Sequence, residues 1–167
     1  MKVKKLKWAA TFLVAISITL LIFGCADNGD NADNMLALEG GKWAEYYENA
    51  DLDGLMTLYT DDVVVALHGQ PALYGKAAVR EYFSTRIDKA ISKFELDYEV
   101  REIHGDVAYL ISKYWLRAED KETGEVFLDA GRSLLIYKRD SSGQFKIAAD
   151  IDQSSPDVTW PSPLGME

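Results

Sequence analysis

The chain has 167 residues, 18 of them basic and 27 acidic, with two histidines, one cysteine and a formal net charge of −9. A single cysteine excludes an intrachain disulfide. Acidity of this size is repelled by nucleic acid and by anionic lipid head groups, so no nucleic-acid partner is expected.

The N-terminus is read before the fold. Lys2, Lys4, Lys5 and Lys7 form a positive segment with no acid nearby. Trp8 to Phe23 is apolar but short for a spanning helix, which needs about 20 residues. The run closes on Ile22-Phe23-Gly24-Cys25, which resembles a bacterial lipoprotein signal. That resemblance implies that residues 1–24 are removed and that Cys25 is lipidated as the new N-terminus. An uncleaved membrane anchor is the alternative. Either one tethers the chain in the cell envelope, facing the periplasm or the exterior. Without the signal, 14 basic residues face 27 acidic ones, a net charge of −13. Residues 25–34 follow as a flexible Asp/Asn tether, with too little apolar surface to order itself. Asp27, Asp30 and Asp33 are spaced by three, which does not fit a calcium loop.

Residues 35–155 are expected to form one domain with one core. Leu36 to Asn49 reads as a helix, with Trp43 and Tyr47 on one face and Gly40-Gly41 weakening its first turns. Asp51 is a candidate N-cap for a second helix over Leu52 to Tyr59. Val63 to Leu67 is a β-branched run and reads as a buried strand. His68-Gly69-Gln70-Pro71 breaks it, and Lys76 to Lys89 is a third helix. From Lys93 the period changes from 3.6 to 2. Lys93 to Ile103, Val107 to Ala118, Glu125 to Lys138 and Gln144 to Asp152 are strands, with a bulge or bend expected at Gly131. In the first of these, Phe94, Leu96, Tyr98 and Val100 share a face, with Arg101 on the other. Residues 156–167 hold three prolines and read as an irregular tail. The fold class is α+β, with three N-terminal helices packed on a curved antiparallel sheet.

The order of these elements carries three recognisable pieces. They are Ala50-Asp51-x-Asp53-x-Leu55-x-x-Leu58-Tyr59-x-Asp61-Asp62-Val63, then Gly75-Lys76-x-Ala78-Val79-x-x-Tyr82-Phe83, then Leu134 to Ile147 ending in Ala149-Asp150-Ile151. Together they resemble the nuclear transport factor 2-like superfamily, the cone fold shared by ketosteroid isomerase and polyketide-cyclase-like proteins. The resemblance spans Leu36 to Ser155. It implies a deep pocket between helices and sheet, and a homodimer packed through the sheet. Ketosteroid isomerase works with a tyrosine, a protonated aspartic acid and an aspartate base. The positions matching these are Trp43, Leu135 and Leu67, and none keeps a suitable group. Steroid isomerisation by that mechanism is therefore not expected.

Period 2 places Asp129, Gly131, Ser133 and Leu135 on one inward face. On the last strand it turns Ala148, Asp150 and Asp152 inward, and Phe145, Ile147 and Ile151 outward. Asp150 and Asp152 would then be adjacent carboxylates whose charges oppose one another, which raises a pKa. They read as an acid/base pair with His68, or as a clamp for a cationic or hydroxyl-rich ligand. The structural alternative puts Asp152 in water at a strand end, gives Asp150 a supporting hydrogen bond and leaves His68 as a solvated loop residue. Trp43, Tyr47, Tyr59, Leu67, Phe83 and Tyr114 are core residues or pocket walls. No phosphate loop, nucleophile elbow or zinc motif is present, so no cofactor or metal is expected. Three functions fit the sequence. They are a pocket for a small, largely apolar ligand without chemistry, a cofactor-independent isomerase, lyase or cyclase, and a dimeric protein-interaction module.

Overall fold

The computed structural model describes residues 29–166. The expected signal segment and Cys25 lie outside the described residues. Helix α1 runs from Gly29 to Glu48. It starts inside the expected tether, so Gly29 to Asn34 is helical, because lengthening a helix costs far less than nucleating one. Nor do Gly40-Gly41 interrupt it. Gly40 lets the helix lie close on the sheet, since a Cβ there would come within 2.7 Å of Leu110 Cδ2. Helix α2 covers Leu52–Thr57. Its N-cap is Asp51, whose carboxylate accepts the Gly54 N–H at 2.8 Å.

Strand β1 spans Tyr59–Ala66 and β2 only Leu73–Tyr74. Tyr59 therefore begins a strand and does not end a helix, because its backbone pairs with Ile147. The two residues of β2 carry too little pattern to read in the sequence. Helix α3 spans Lys76–Ser84 and stops short of Lys89. Beyond it the chain turns, and Lys89 C=O accepts the Lys121 N–H at 2.9 Å. The long strands are β3 (Ala90–His104), β4 (Val107–Asp120), β5 (Val126–Arg139) and β6 (Phe145–Ser154).

The six strands form one sheet in the order β2-β1-β6-β5-β4-β3. It is mixed, and the expectation of a wholly antiparallel sheet is corrected at one seam. β1 and β6 run parallel. The chain leaves β1, crosses through α3 and returns through three antiparallel turns, so β6 re-enters beside β1 in the same direction.

β6 and β3 each carry one unpaired residue against an antiparallel neighbour. In β6, Ile136 pairs with Ala149 and Tyr137 with Ile147, which leaves Ala148 extra. The extra residue reverses the alternation below it. Ile147 and Phe145, expected to face outward, are buried in the core at 0% and 8% exposure. Ile151, above the bulge, does face outward and is 44% exposed. In β3, Tyr98 pairs with Ser112 and Val100 with Ile111, which leaves Glu99 extra. Arg101 consequently joins the inner row opposite Leu110, and its guanidinium lies 5.1 Å from the Tyr98 ring.

Gly131 is not a bulge, since the pairing with β4 is regular through it. It is a close approach, because a Cβ there would lie 2.1 Å from Gln153 O. The C-terminal tail lies on the outer face. Trp115 Nε1 donates to Thr159 O at 3.1 Å, and Trp160 Nε1 donates to Asp129 O at 3.1 Å. Arg132 bridges Asp157 and Glu99, both at 2.7 Å.

Gly131→Ala should force β5 and β6 apart and remove about 1–3 kcal/mol of stability. A lower urea midpoint at unchanged slope is the expected reading. A wild-type midpoint would contradict the close approach.

Candidate functional site

The interior between the helices and the concave sheet face is not filled. A cavity of about 290 Å³ remains there, at the lower end of the range for small-ligand pockets. One side is aromatic. Trp43 and Tyr47, one helical turn apart on α1, stack at 5.2 Å between ring centroids. Phe83 of α3 and Phe94 of β3 meet both rings edge-on, at 5.3 to 6.2 Å.

The other side is polar and comes from the strands. Asp129 and Ser133 project from β5, and Asp150 and Asp152 from β6. The register sets Leu135 opposite Asp150 and Ser133 opposite Asp152. The Ser133 hydroxyl shares a hydrogen bond with the Ser112 hydroxyl at 2.9 Å. The Tyr114 hydroxyl donates to Asp129 Oδ2 at 3.3 Å. The backbone N–H of His68, just after β1, donates to Asp152 Oδ1.

Of the residues expected at a site, the cavity brings together Trp43, Tyr47, Leu67, His68, Phe83, Tyr114, Asp129, Ser133, Leu135, Asp150 and Asp152. Tyr59 does not line it. It is 1% exposed and stands behind Asp150, donating to Asp150 Oδ2 at 3.3 Å and accepting from Trp43 Nε1 at 2.6 Å. Asp150 thus lines the cavity and also accepts a hydrogen bond from Tyr59 of β1. Trp43, Leu67 and Leu135 all line the cavity. The carboxyl group sits one strand over, on the cross-strand partner of Leu135.

Burial is the first electrostatic effect here. It pushes the Asp150 carboxyl up to about 7, the Asp152 charge adds to the rise, and the Tyr59 hydrogen bond opposes it. Burial also raises Asp152, and the His68 N–H offsets part of that rise. The Tyr59 hydroxyl is held well above its ordinary range by burial and by Asp150. Near neutrality both protonation states of Asp150 are therefore populated, and the carboxyl can donate or accept a hydrogen bond. Among the described residues no group of three or more His, Cys, Asp or Glu is placed to hold a metal ion.

Sequence reasoning missed Ser112, Arg86, Leu96 and Tyr98 on the lining. Period 2 along β4 from Tyr114 leads to Ser112, so that signal was present. Arg86 had none, because it follows the end of α3, where helical spacing no longer applies.

The native state holds a proton on Asp150 between its unfolded pKa of about 4 and its folded value of about 7. Stability from this group is therefore full below pH 4, falls as pH rises to 7, and stays low above. Asp150→Asn removes the buried charge and keeps the acceptor for Tyr59. It should stabilise the protein at pH 8 by an amount on the order of a few kcal/mol, and by much less at pH 5. Urea unfolding at the two pH values measures this, and equal effects at both would refute it.

The sequence profile of the SnoaL-like domain matches residues 41–135. No curated protein sequence matches the chain. Among solved structures, a conserved protein from Planctomyces limnophilus superposes with a TM-score of 0.69 at 22% identity, covering 73% of this chain and 94% of that one. A ketosteroid isomerase-like protein from Erwinia carotovora gives 0.65 at 19%, covering 75% and 99%. A protein of the NTF2-like family from Streptomyces avermitilis gives 0.68 at 16%, covering 75% and 98%. At these identities the likeness establishes the fold alone. With the profile spanning more than half of its residues, the chain belongs to the SnoaL-like domain family and has the NTF2-like fold.

Proposed function

We propose that this domain binds a small, largely apolar ligand, with the ligand's apolar body against the aromatic wall and one polar group at the carboxyl pair. The observation that carries the reading is the cavity itself, with rings on one side and Asp150 and Asp152 on the other. Filling the apolar part removes surface from water at about 25 cal/mol per Å². The few polar groups fix the ligand's orientation. No cofactor enters this reading.

Cofactor-independent proton transfer is the second reading. What favours it is a carboxyl near neutrality lining the cavity beside Asp152 and His68. The Asp150 carboxyl, opposite Leu135, would stand in for the acid missing at that position.

Melting temperatures of the full chain against a mixed small-molecule panel test both readings. A ligand at about 100 times its Kd adds roughly 2.7 kcal/mol. A shift reduced in Asp150→Ala/Asp152→Ala places the ligand at the carboxyl pair. Conversion of that ligand, with a bell-shaped pH profile lost in Asp150→Asn, would establish turnover. Full activity in that variant would sink it. A panel without any shift would sink the pocket reading.

The proposal extends to a cell-envelope location with a lipid on Cys25, supported by the Lys-rich start, the short apolar run and Gly24-Cys25. It also extends to a homodimer through the outer sheet face, where Leu128 and Ile151 are 46% and 44% exposed. Radiolabelled palmitate should enter the wild-type chain and not Cys25→Ser, and sedimentation should give twice the chain mass. An unlabelled wild type overturns the anchor, and a monomer overturns the dimer.

A further inference from the structure

Resting on the ligand-pocket reading, we propose that the cavity selects a small organic cation, an amine whose apolar body lies against Trp43, Tyr47, Phe83 and Phe94 and whose charged head lies at Asp150 and Asp152. The first ground is the set of donors around the acids. Asp129, Asp150 and Asp152 receive hydrogen bonds only from neutral groups among the described residues. These are the hydroxyls of Tyr59 and Tyr114 and the backbone N–H groups of His68 and Ala130. No ion pair of the described residues includes any of the three acids.

The second ground is the state of Asp150. It lines the cavity while only 5% exposed. Tyr59 takes up Oδ2 from behind, and Oδ1 has no hydrogen bond among the described residues. An unpaired carboxyl oxygen on a residue that lines a cavity is an acceptor in want of a donor.

The third ground is where the nearby charges point. From β1 and its end, Tyr59 and His68 face the acids. From β4 and β5, Tyr114, Asp129 and Tyr137 do so. His68 eases the Asp152 charge, while Asp129 opposes it. Arg86 is the cation on the cavity wall, and it is engaged at its own end of α3. Its Nη1 donates to Tyr82 O at 3.0 Å and to Thr85 Oγ1 at 2.8 Å, and its guanidinium lies 3.9 Å over the Tyr82 ring. Among the described residues the acids thus lack a fixed positive partner.

An ammonium head would supply that partner in a medium where charge interactions are strong. Aromatic faces attract the same cation through their quadrupoles. A neutral ligand gives no such relief, and an anion is repelled both locally and by the acidic chain as a whole. Cation binding favours the ionised form of Asp150, so affinity should rise with pH through neutrality and binding should release a proton.

Calorimetric titration of the full chain with matched pairs tests this. The pairs are 2-phenylethylamine with 2-phenylethanol, cyclohexylmethylamine with cyclohexylmethanol, and tryptamine with tryptophol. At pH 8 at least one amine should bind about tenfold or more tighter than its alcohol. That preference should shrink at pH 5. It should also shrink toward unity in Asp150→Asn and Asp152→Asn; a native melting transition shows that each variant is folded. Equal binding within every pair, or a preference untouched by both variants, overturns the cation assignment and leaves the pocket reading standing. Binding of none of the six compounds overturns both.

Discussion

A strand sends alternate residues to opposite faces, so one unpaired residue reverses everything beyond it. β6 carries such a residue at Ala148. Without it, the strand could bury Ile147 and Phe145 or aim Asp150 and Asp152 inward, but not both. With it, the lower half of β6 seals the core and the upper half furnishes the polar end of the cavity. The parallel seam with β1 is irregular too, since Tyr59 pairs beside Ile147 and Val64 beside Ala149, five residue steps of β1 against two of β6. Tyr59 thereby comes to stand behind Asp150, with its hydroxyl on the carboxyl.

From that contact a short chain of hydrogen bonds runs outward, Trp43 to Tyr59 to Asp150. Each link uses a donor that cannot ionise at neutral pH. The arrangement fixes the direction of the carboxyl without neutralising it. Trp43 gains a partner for its indole N–H, which a buried tryptophan requires, and its ring is held flat against Tyr47. The aromatic wall of the cavity and its acid are therefore tied through a single buried hydroxyl. Ser112 and Ser133 satisfy each other across β4 and β5, so they add polarity without adding a further charge.

Much of this was legible in the residues. The i, i+4 pair Trp43 and Tyr47 needs only helical geometry, and the run from Asp129 to Leu135 needs only period 2. The Asp51 cap follows from one side chain reaching one N–H. The features that resisted reading depend on pairing between distant segments. Neither extra residue, Glu99 or Ala148, differs in kind from its neighbours, so local composition gives no sign that the partner strand skips it. The wrong faces assigned to Arg101 and Ile147 follow from that. Tyr59 was misplaced because its strand pairing is decided by Ile147, far along the chain. The tail was read as irregular, and its backbone is; what the prolines could not convey is that Thr159 and Asp129 carbonyls would seat two indole N–H groups.

The same sequence reads as acidic all over, and that acidity has two unlike components. Most of it is solvated and serves solubility, at little energetic cost in water. Asp150 and Asp152 are different, because they lie in a place where a charge is strongly disfavoured unless it is paired. Apolar residues of similar volume at these two positions would stabilise the empty protein, as they would at other sites where burial and function conflict. The cost falls only while the cavity is empty. Under the proposed binding, a ligand that brings a positive head would recover it, and the destabilisation of the free state would become part of the discrimination between ligands. A ligand with a hydroxyl in the same place recovers only a hydrogen bond. The difference between the two is set by how completely Tyr59, Tyr114 and the two backbone N–H groups leave the charge unmatched.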